Sequence, residues 1–211
     1  MRCAYNEMYL DDAMRNLGEA VDFAVNTCGL EPDRFMGMFI ASGLADQFGR
    51  GVPRYVCGLS GIELACEIFD RAGLSVAIPE EEIIYDLSAA YWSGWILAYY
   101  QWQRNLRFKQ IMQYLPMTEI LKLYPVLHEA PEKKFIDTAD AIAQRKLMNA
   151  KLQTLRRAAG YSQRLLAARS GVSLRMIQQY EQGVKDISKA SASSLKALSE
   201  SLGCRIEEFI E

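Results

Sequence analysis

The sequence has few of the side chains that hold metals or activate nucleophiles. It contains one histidine, His128, and five cysteines, and no two cysteines have the spacing of a metal site or a redox motif. The glycines between positions 49 and 61 lack the spacing and the lysine of a phosphate-binding loop. We therefore predict a protein that is not an enzyme and has no cofactor, and we interpret His128 as a surface or capping residue.

The sequence also lacks the segments that carry a chain into or across a membrane. No apolar run approaches the roughly 20 residues of a membrane-spanning helix. The first residues are mixed and polar, without the apolar core of a signal peptide. An odd number of cysteines without a regular spacing is typical of reduced thiols. These absences predict a cytoplasmic protein with no membrane partner.

Charge is present in both signs but is unevenly distributed. Residues 146–211 contain 11 lysines and arginines against 6 acidic residues, a net charge of +5, whereas residues 1–145 contain 13 against 20, a net charge of −7. A basic part joined to an acidic part is typical of a nucleic-acid binder with a sensing or interaction domain. We predict two domains, 1–145 and 146–211, joined by a helix rather than by a flexible linker.

Helical periodicity dominates residues 1–145. Apolar residues at helical spacing predict a helix over 9–28, and Ser60 with Glu63 has the pattern of a capping box at a helix start. The glycine-rich range 43–59 predicts a loop, with a short strand at 55–57. These patterns predict an amino-terminal helical domain.

The range 88–104 is the most aromatic stretch of the chain. It predicts a helix that is apolar on nearly every side and central in its domain. Two interpretations of its aromatic residues stay open: core packing, which the large buried area of such rings favours, and a pocket for a small ligand or a groove for a partner. Upstream, Pro79 before three glutamates is typical of a helix start.

Two short amphipathic segments meet at Gly171. Ser162 is suited to cap the first segment, and Ser173 is suited to cap the second. Glycine at 171 allows the positive φ that ends a helix, and Gly183 closes the second segment. Two helices joined by so short a turn predict a helix-turn-helix, whose second helix can enter the major groove of DNA.

At these positions the sequence resembles the phage-repressor-like (Cro/cI, or XRE) helix-turn-helix proteins. The matching residues are Ser162, Gln163, Leu166, Ala167, Gly171, Val172, Ser173, Ile177, Glu181, Gly183, Leu195, Leu198, Leu202 and Gly203. The resemblance covers about residues 151–210 and implies a lambda-repressor-like domain. The loop between Gly183 and Leu195 departs from the family, because it is longer and lacks the common proline.

The resemblance implies which side chains contact DNA. They are Gln163, Ser173, Leu174, Arg175, Gln178 and Gln179; in the long loop, the charges of Lys185 and Lys189 add two candidate phosphate contacts. Arg175 has the donors to read guanine, Gln179 can pair with adenine, and Leu174 can touch a thymine methyl group. The lysines are expected on phosphates, as are Arg156 and Arg157, which we predict to face outward from the preceding helix.

The sequence thus predicts a sequence-specific transcriptional regulator, a repressor, that binds double-stranded DNA as a homodimer. In this interpretation residues 1–145 sense an effector, dimerise or bind a protein partner. The alternative is an antitoxin-like protein, whose amino-terminal domain binds a protein partner and whose helix-turn-helix regulates its own operon.

Overall fold

A computed structural model of the chain describes residues 3–75 and 88–210. Every regular element in these two ranges is helical and none is a strand, so the prediction of an all-α protein is confirmed. The chain divides into two compact units, Met1–Thr138 and Ala139–Glu211. The predicted helix start at Pro79 lies outside the described residues.

The helices follow one another with short connections. The described helices of the amino-terminal unit are α1 (Leu10–Asp22), α2 (Pro32–Ala41), α3 (Leu44–Gly49), α4 (Pro53–Val56), α5 (Gly61–Arg71), α6 (Ala89–Arg104), α7 (Phe108–Tyr114) and α8 (Met117–Leu127). A π-helical turn, Phe23–Thr27, extends α1. The later helices are α9 (Glu132–Ala158), α10 (Gln163–Ser170), α11 (Leu174–Glu181), α12 (Ala192–Leu202) and α13 (Glu207–Ile210).

Helix α1 is the centre of the amino-terminal unit, and glycines let two other helices approach it closely. A Cβ atom at Gly94 of α6 would lie 2.4 Å from the carbonyl oxygen of Leu17. A Cβ atom at Gly61 of α5 would lie 2.5 Å from the carbonyl oxygen of Asn16. Neither position has room for a side chain, so backbone packs directly on backbone at both crossings.

The range 43–59 contains two short helices, α3 and α4, where the sequence predicted a loop with a strand. Leu44 and Phe48 are one turn apart on α3 and are fully buried. Pro53 opens α4, where its fixed φ suits a first helical turn, and Val56 is buried at the end of this helix. The predicted strand at 55–57 was wrong because this proline starts a helical turn two residues earlier.

Helix α6 confirms the prediction of a central, nearly all-apolar helix. Its buried residues lie on most of its faces and are Ala90, Trp92, Ser93, Gly94, Ile96, Leu97, Ala98, Tyr100, Gln101 and Trp102. The last turn of α6 forms hydrogen bonds with residues 4 and 5. The indole nitrogen of Trp102 donates to the carbonyl oxygen of Tyr5 at 2.9 Å, and Ala4 N donates to the Trp102 carbonyl oxygen at 2.9 Å.

Two other local predictions are confirmed. Ser60 and Glu63 form the capping box that opens α5, with Ser60 N donating to the Glu63 carboxylate at 2.8 Å. His128 is the C-cap of α8, and its Nδ1 lies 2.9 Å from the carbonyl oxygen of Tyr124. Pro125 lies inside the last turn of α8.

The carboxyl-terminal unit has its own small core. The buried members are Met148, Leu152, Leu166, Val172, Ile177, Tyr180, Ile187 and Leu198. They come from α9, α10, α11, α12 and the connections between them. The helix α9, which the sequence predicted to run without a break into this domain, supplies Met148 and Leu152.

Candidate nucleic-acid interface

The two helices of the motif begin and end where the sequence predicts. Ser162 caps α10 by accepting a hydrogen bond from Leu165 N at 3.1 Å, and Ser173 caps α11 by accepting one from Met176 N at 3.3 Å. Gly171 ends α10 with φ 69°, a left-handed conformation that favours glycine. Serine caps and one glycine therefore fix the turn between the helices.

The inner faces of α10 and α11 are held by apolar contacts. Leu166 and Ile177 are fully buried, and Ala167 is packed against the same cluster. Because Ile177 and Tyr180 occupy the buried side of α11, the opposite side of this helix is directed to solvent. The packing thus fixes which side chains of α11 can meet a ligand.

The outer face of α11 carries polar side chains that can form hydrogen bonds. Arg175 is exposed, and Gln179 follows it by one turn and is half-buried. Gln178 is half-buried beside them. Gln182, which the sequence interpretation missed, is the exposed C-cap residue one turn after Gln178. Continuing the helical spacing of Arg175 and Gln179 beyond Glu181 would have identified it.

The other predicted residues of the motif lie at the starts of the two helices. Gln163 is the first residue of α10, and its Nε2 donates to Glu181 Oε2 at 2.8 Å. Ser173 is the exposed N-cap of α11, and Leu174 is its half-buried first residue. Gln163 is therefore held by an internal contact, while Ser173 and Leu174 stand at the entrance of the second helix.

Arg156 corrects one prediction, because it does not face outward to phosphates. Its side chain is 9% exposed and is clamped to Glu181, whose side chain is 1% exposed. Arg156 Nε and Nη2 donate to the two carboxylate oxygens of Glu181 at 2.6 and 2.9 Å, and Nη1 donates to the Tyr161 carbonyl oxygen at 2.6 Å. Arg157, in contrast, is exposed as expected.

The pair is charged in the folded protein. Burial opposes ionisation of Glu181, but hydrogen bonds from Arg156 and Gln163 outweigh it, and the pKa of this carboxyl lies below its ordinary value. The hydrogen bond to Glu181 raises the pKa of Arg156. The sequence contained a signal for this pair: Arg156 follows Leu152 by four residues and Met148 by eight, on the buried side of α9.

Lys185 and Lys189 line one groove of about 540 Å³ beside α11. Arg145 of α9 and Asp186 also line this groove. The long connection is anchored between the lysines by Ile187, which is fully buried in the core of the unit. The structure therefore brings the two predicted lysines together with an arginine that the sequence interpretation did not select.

Comparison with known families agrees with this geometry. Residues 152–209 match the model of the helix-turn-helix family, and this segment is an XRE-family helix-turn-helix domain, as the sequence predicted. No curated protein and no solved structure matches the chain. The domain indicates a DNA-binding transcription regulator, and it is a regulatory rather than an enzymatic domain. Within the described residues, no helix has both the length and the apolarity to cross a membrane.

Proposed function

We propose that the protein is a sequence-specific transcriptional repressor that binds its operator as a homodimer in the cytoplasm. One observation carries the proposal. Arg175 and Gln179 stand one turn apart on the outer face of α11, and the core beneath that helix fixes their direction. Selection of bound sequences from a random pool of duplexes tests it, and recovery of no preferred sequence would contradict it.

The side chains on α11 can recognise different bases. Arg175 can donate two hydrogen bonds to guanine O6 and N7, and Gln179 can pair with adenine N6 and N7. We assign Leu174 to a thymine methyl group, and we assign Ser173, the N-cap of the helix, to the side that faces the groove. Gln178 is a further contact on the same face. A helix in the major groove with these residues distinguishes a few base pairs.

Contacts to phosphates position the domain without reading sequence. Lys185 and Lys189 are exposed, and they line one groove together with Arg145. The side chain of Gln163 donates to Glu181, but its backbone lies at the amino-terminal end of α10, where free N–H groups favour an anion. We assign these residues to the DNA backbone, because phosphate contacts need charge and donors but no base-specific geometry.

Arg175→Ala should weaken binding to the selected operator by about 1–3 kcal/mol and relax the preference at one base position. The change removes the only arginine of α11 and leaves the buried side of that helix intact. Fluorescence anisotropy with the selected and with random duplexes measures both effects. Arg205→Ala, which removes an 84% exposed charge from the same unit, is the matched control. Equal losses in the two variants would contradict the assignment.

The logarithm of the affinity should fall linearly with the logarithm of salt concentration, by about 0.9 for each phosphate contact. The double variant Lys185→Ala and Lys189→Ala should reduce this slope by about 2 and weaken selected and random duplexes alike. Lys196→Ala, an exposed lysine outside the groove, should leave the slope unchanged. A double variant with the parental slope would exclude these lysines from the phosphate contacts.

The intact chain should sediment as a dimer at micromolar concentration. One recognition helix covers too few base pairs for a unique site, and two half-sites separated by about 34–36 Å remove this limit. We assign dimerisation to residues 1–145, so the fragment 1–145 should dimerise and the fragment 146–211 should be monomeric. A monomeric intact chain, or a fragment 146–211 that dimerises equally well, would contradict the assignment.

The antitoxin-like alternative uses the same contacts to DNA but requires a protein bound to the amino-terminal unit. Mass measurement of the protein purified from its native host separates the two. A stable complex with a second polypeptide supports the alternative, whereas a homodimer alone supports the repressor.

A further inference from the structure

Among the residues that the structure describes, the side chains that line one pocket of the amino-terminal unit are all aromatic. It has a volume of about 300 Å³ and lies between α6 and α8. Its lining consists of Tyr91, Trp92, Trp95, Tyr124 and His128. This volume lies within the range of small-molecule sites, which are mostly apolar with few polar groups.

Contacts behind the pocket hold several of these rings in place. Trp92 packs edge-on against Tyr124, with ring centroids 5.6 Å apart, and against Phe135, with centroids 5.7 Å apart. Tyr124 stacks on His128 with centroids 4.5 Å apart. These three lining rings are therefore fixed by the fold, and the pocket does not have to be assembled by its ligand.

Tyr91, a further lining residue, packs closely against α1. A Cβ atom at Gly18 would lie 3.0 Å from the Tyr91 ring, so the absence of a side chain there makes room for the ring. Trp95 is half-buried, on the next turn of α6. Tyr100 of the same helix is fully buried in the core and does not line the pocket.

Carboxylates lie near two of the lining residues, His128 and Tyr91. Glu129 Oε1 lies 3.6 Å from His128 Nε2. Burial, followed by the charges of Glu19 and Asp22, raises the pKa of Tyr91. Arg15 acts on Tyr91 in the opposite direction, and it pairs with both Asp12, at 2.6 Å, and Glu19, at 4.0 Å, so two carboxylates share one positive charge. The local charge is therefore negative, as is that of residues 1–145 as a whole.

We propose that the pocket between α6 and α8 binds a flat organic cation. Aromatic rings attract a cation through the negative charge of their faces, and the attraction grows when the cation is removed from water. Neighbouring carboxylates add to it, whereas a ligand with a carboxylate or phosphate would be repelled. A planar ring system can stack against the aromatic rings that line the pocket. One positive charge on that ring system is attracted by the nearby carboxylates. The inference does not depend on DNA binding.

The test compares two planar probes with the same ring system that differ in charge. N-methylquinolinium is cationic, and quinoline is uncharged at neutral pH. Isothermal titration calorimetry of the intact chain should give one site per chain, with N-methylquinolinium bound about tenfold or more tightly than quinoline. Equal affinities would overturn the assignment of a cation, and absence of binding by both probes would overturn the pocket as a ligand site.

Trp95→Leu should weaken N-methylquinolinium at least about tenfold, because it removes a half-buried ring from the pocket. Tyr99→Leu is the matched control, since Tyr99 is a half-buried ring of the same helix outside the pocket, and it should bind as the parent does. Parental binding by Trp95→Leu would overturn the proposal.

A second variant keeps the test valid if Trp95→Leu does not fold. Glu129 is 89% exposed, so Glu129→Gln should preserve the fold. It should weaken N-methylquinolinium about two- to threefold and leave quinoline unchanged, as expected for loss of one exposed charge. Unchanged binding of the cation, or an equal change for both probes, would overturn the proposal.

Discussion

Glu181→Ala should lower the free energy of unfolding of the carboxyl-terminal unit by about 3–5 kcal/mol, because it leaves a buried guanidinium without its counter-charge. Arg156 donates two hydrogen bonds to this carboxylate, and the Arg156 side chain is 9% exposed. Alanine has no side-chain acceptor, so Nε and Nη2 of Arg156 lose the partners that they have in the folded protein. Urea denaturation followed by circular dichroism measures the loss.

The matched control is an exposed ion pair of the same unit. Lys196 and Glu200 lie 3.8 Å apart on α12 with side chains that are 73% and 68% exposed, so Glu200→Ala should change stability by no more than about 0.5 kcal/mol. Similar losses in the two variants would show that Glu181 has no special role. The pH dependence gives a second readout.

Because the pKa of Glu181 is lower in the folded state than in the unfolded state, its ionisation stabilises the fold above the ordinary carboxyl pKa. That contribution disappears as the pH falls through the folded value. The difference in stability between the parent and Glu181→Gln should therefore shrink on acidification. A difference that stays constant with pH would contradict the role of the charge.

Gly94→Ala should lower the free energy of unfolding of the amino-terminal unit by about 2–3 kcal/mol, because it forces α6 away from α1. The added Cβ atom would lie 2.4 Å from the Leu17 carbonyl oxygen, which belongs to helix backbone and cannot rotate aside. Thermal and urea denaturation of the intact chain measure the loss.

Gly37→Ala separates this steric effect from the general effect of alanine in a helix. Gly37 lies inside α2, and a Cβ atom there would meet nothing within 4 Å. Alanine at this position should stabilise the protein by up to about 1 kcal/mol, through its higher helix propensity. A Gly94→Ala variant as stable as Gly37→Ala would mean that the two helices do not cross so closely.

The parts of the fold that could be predicted depend on neighbouring residues along the chain. The serine caps at Ser162 and Ser173, the turn at Gly171 and the capping box at Ser60 each need only a few consecutive residues. The range 43–59 was misinterpreted because its helices are very short. Their stability comes from tertiary burial of residues such as Phe48, which a local pattern does not reveal.

The outer face of α11 was predictable because side chains follow one another around a helix with a fixed period. That Arg175 and Gln179 contact DNA stays a prediction. Arg156 was mispredicted for a different reason. An arginine is usually solvated, and its burial here depends on Glu181, which lies 25 residues further along the chain and on another helix. The aromatic pocket could not be predicted for a similar reason. Its lining residues come from two helices, and the sequence does not show that these helices pack against each other.

The hydrogen bonds between Trp102 and residues 4 and 5 can form only late in synthesis, because their partners lie far apart in the sequence. Tyr5 precedes Trp102 by 97 residues, so this contact closes a very long loop. During synthesis, α1 leaves the ribosome long before α6 exists, and the apolar surface of α1 that faces Gly94 stays uncovered. Closure follows only after α6 has emerged. Until then the exposed apolar surface makes the nascent chain prone to aggregation, and a chain that ends before residue 102 lacks the partner of Tyr5.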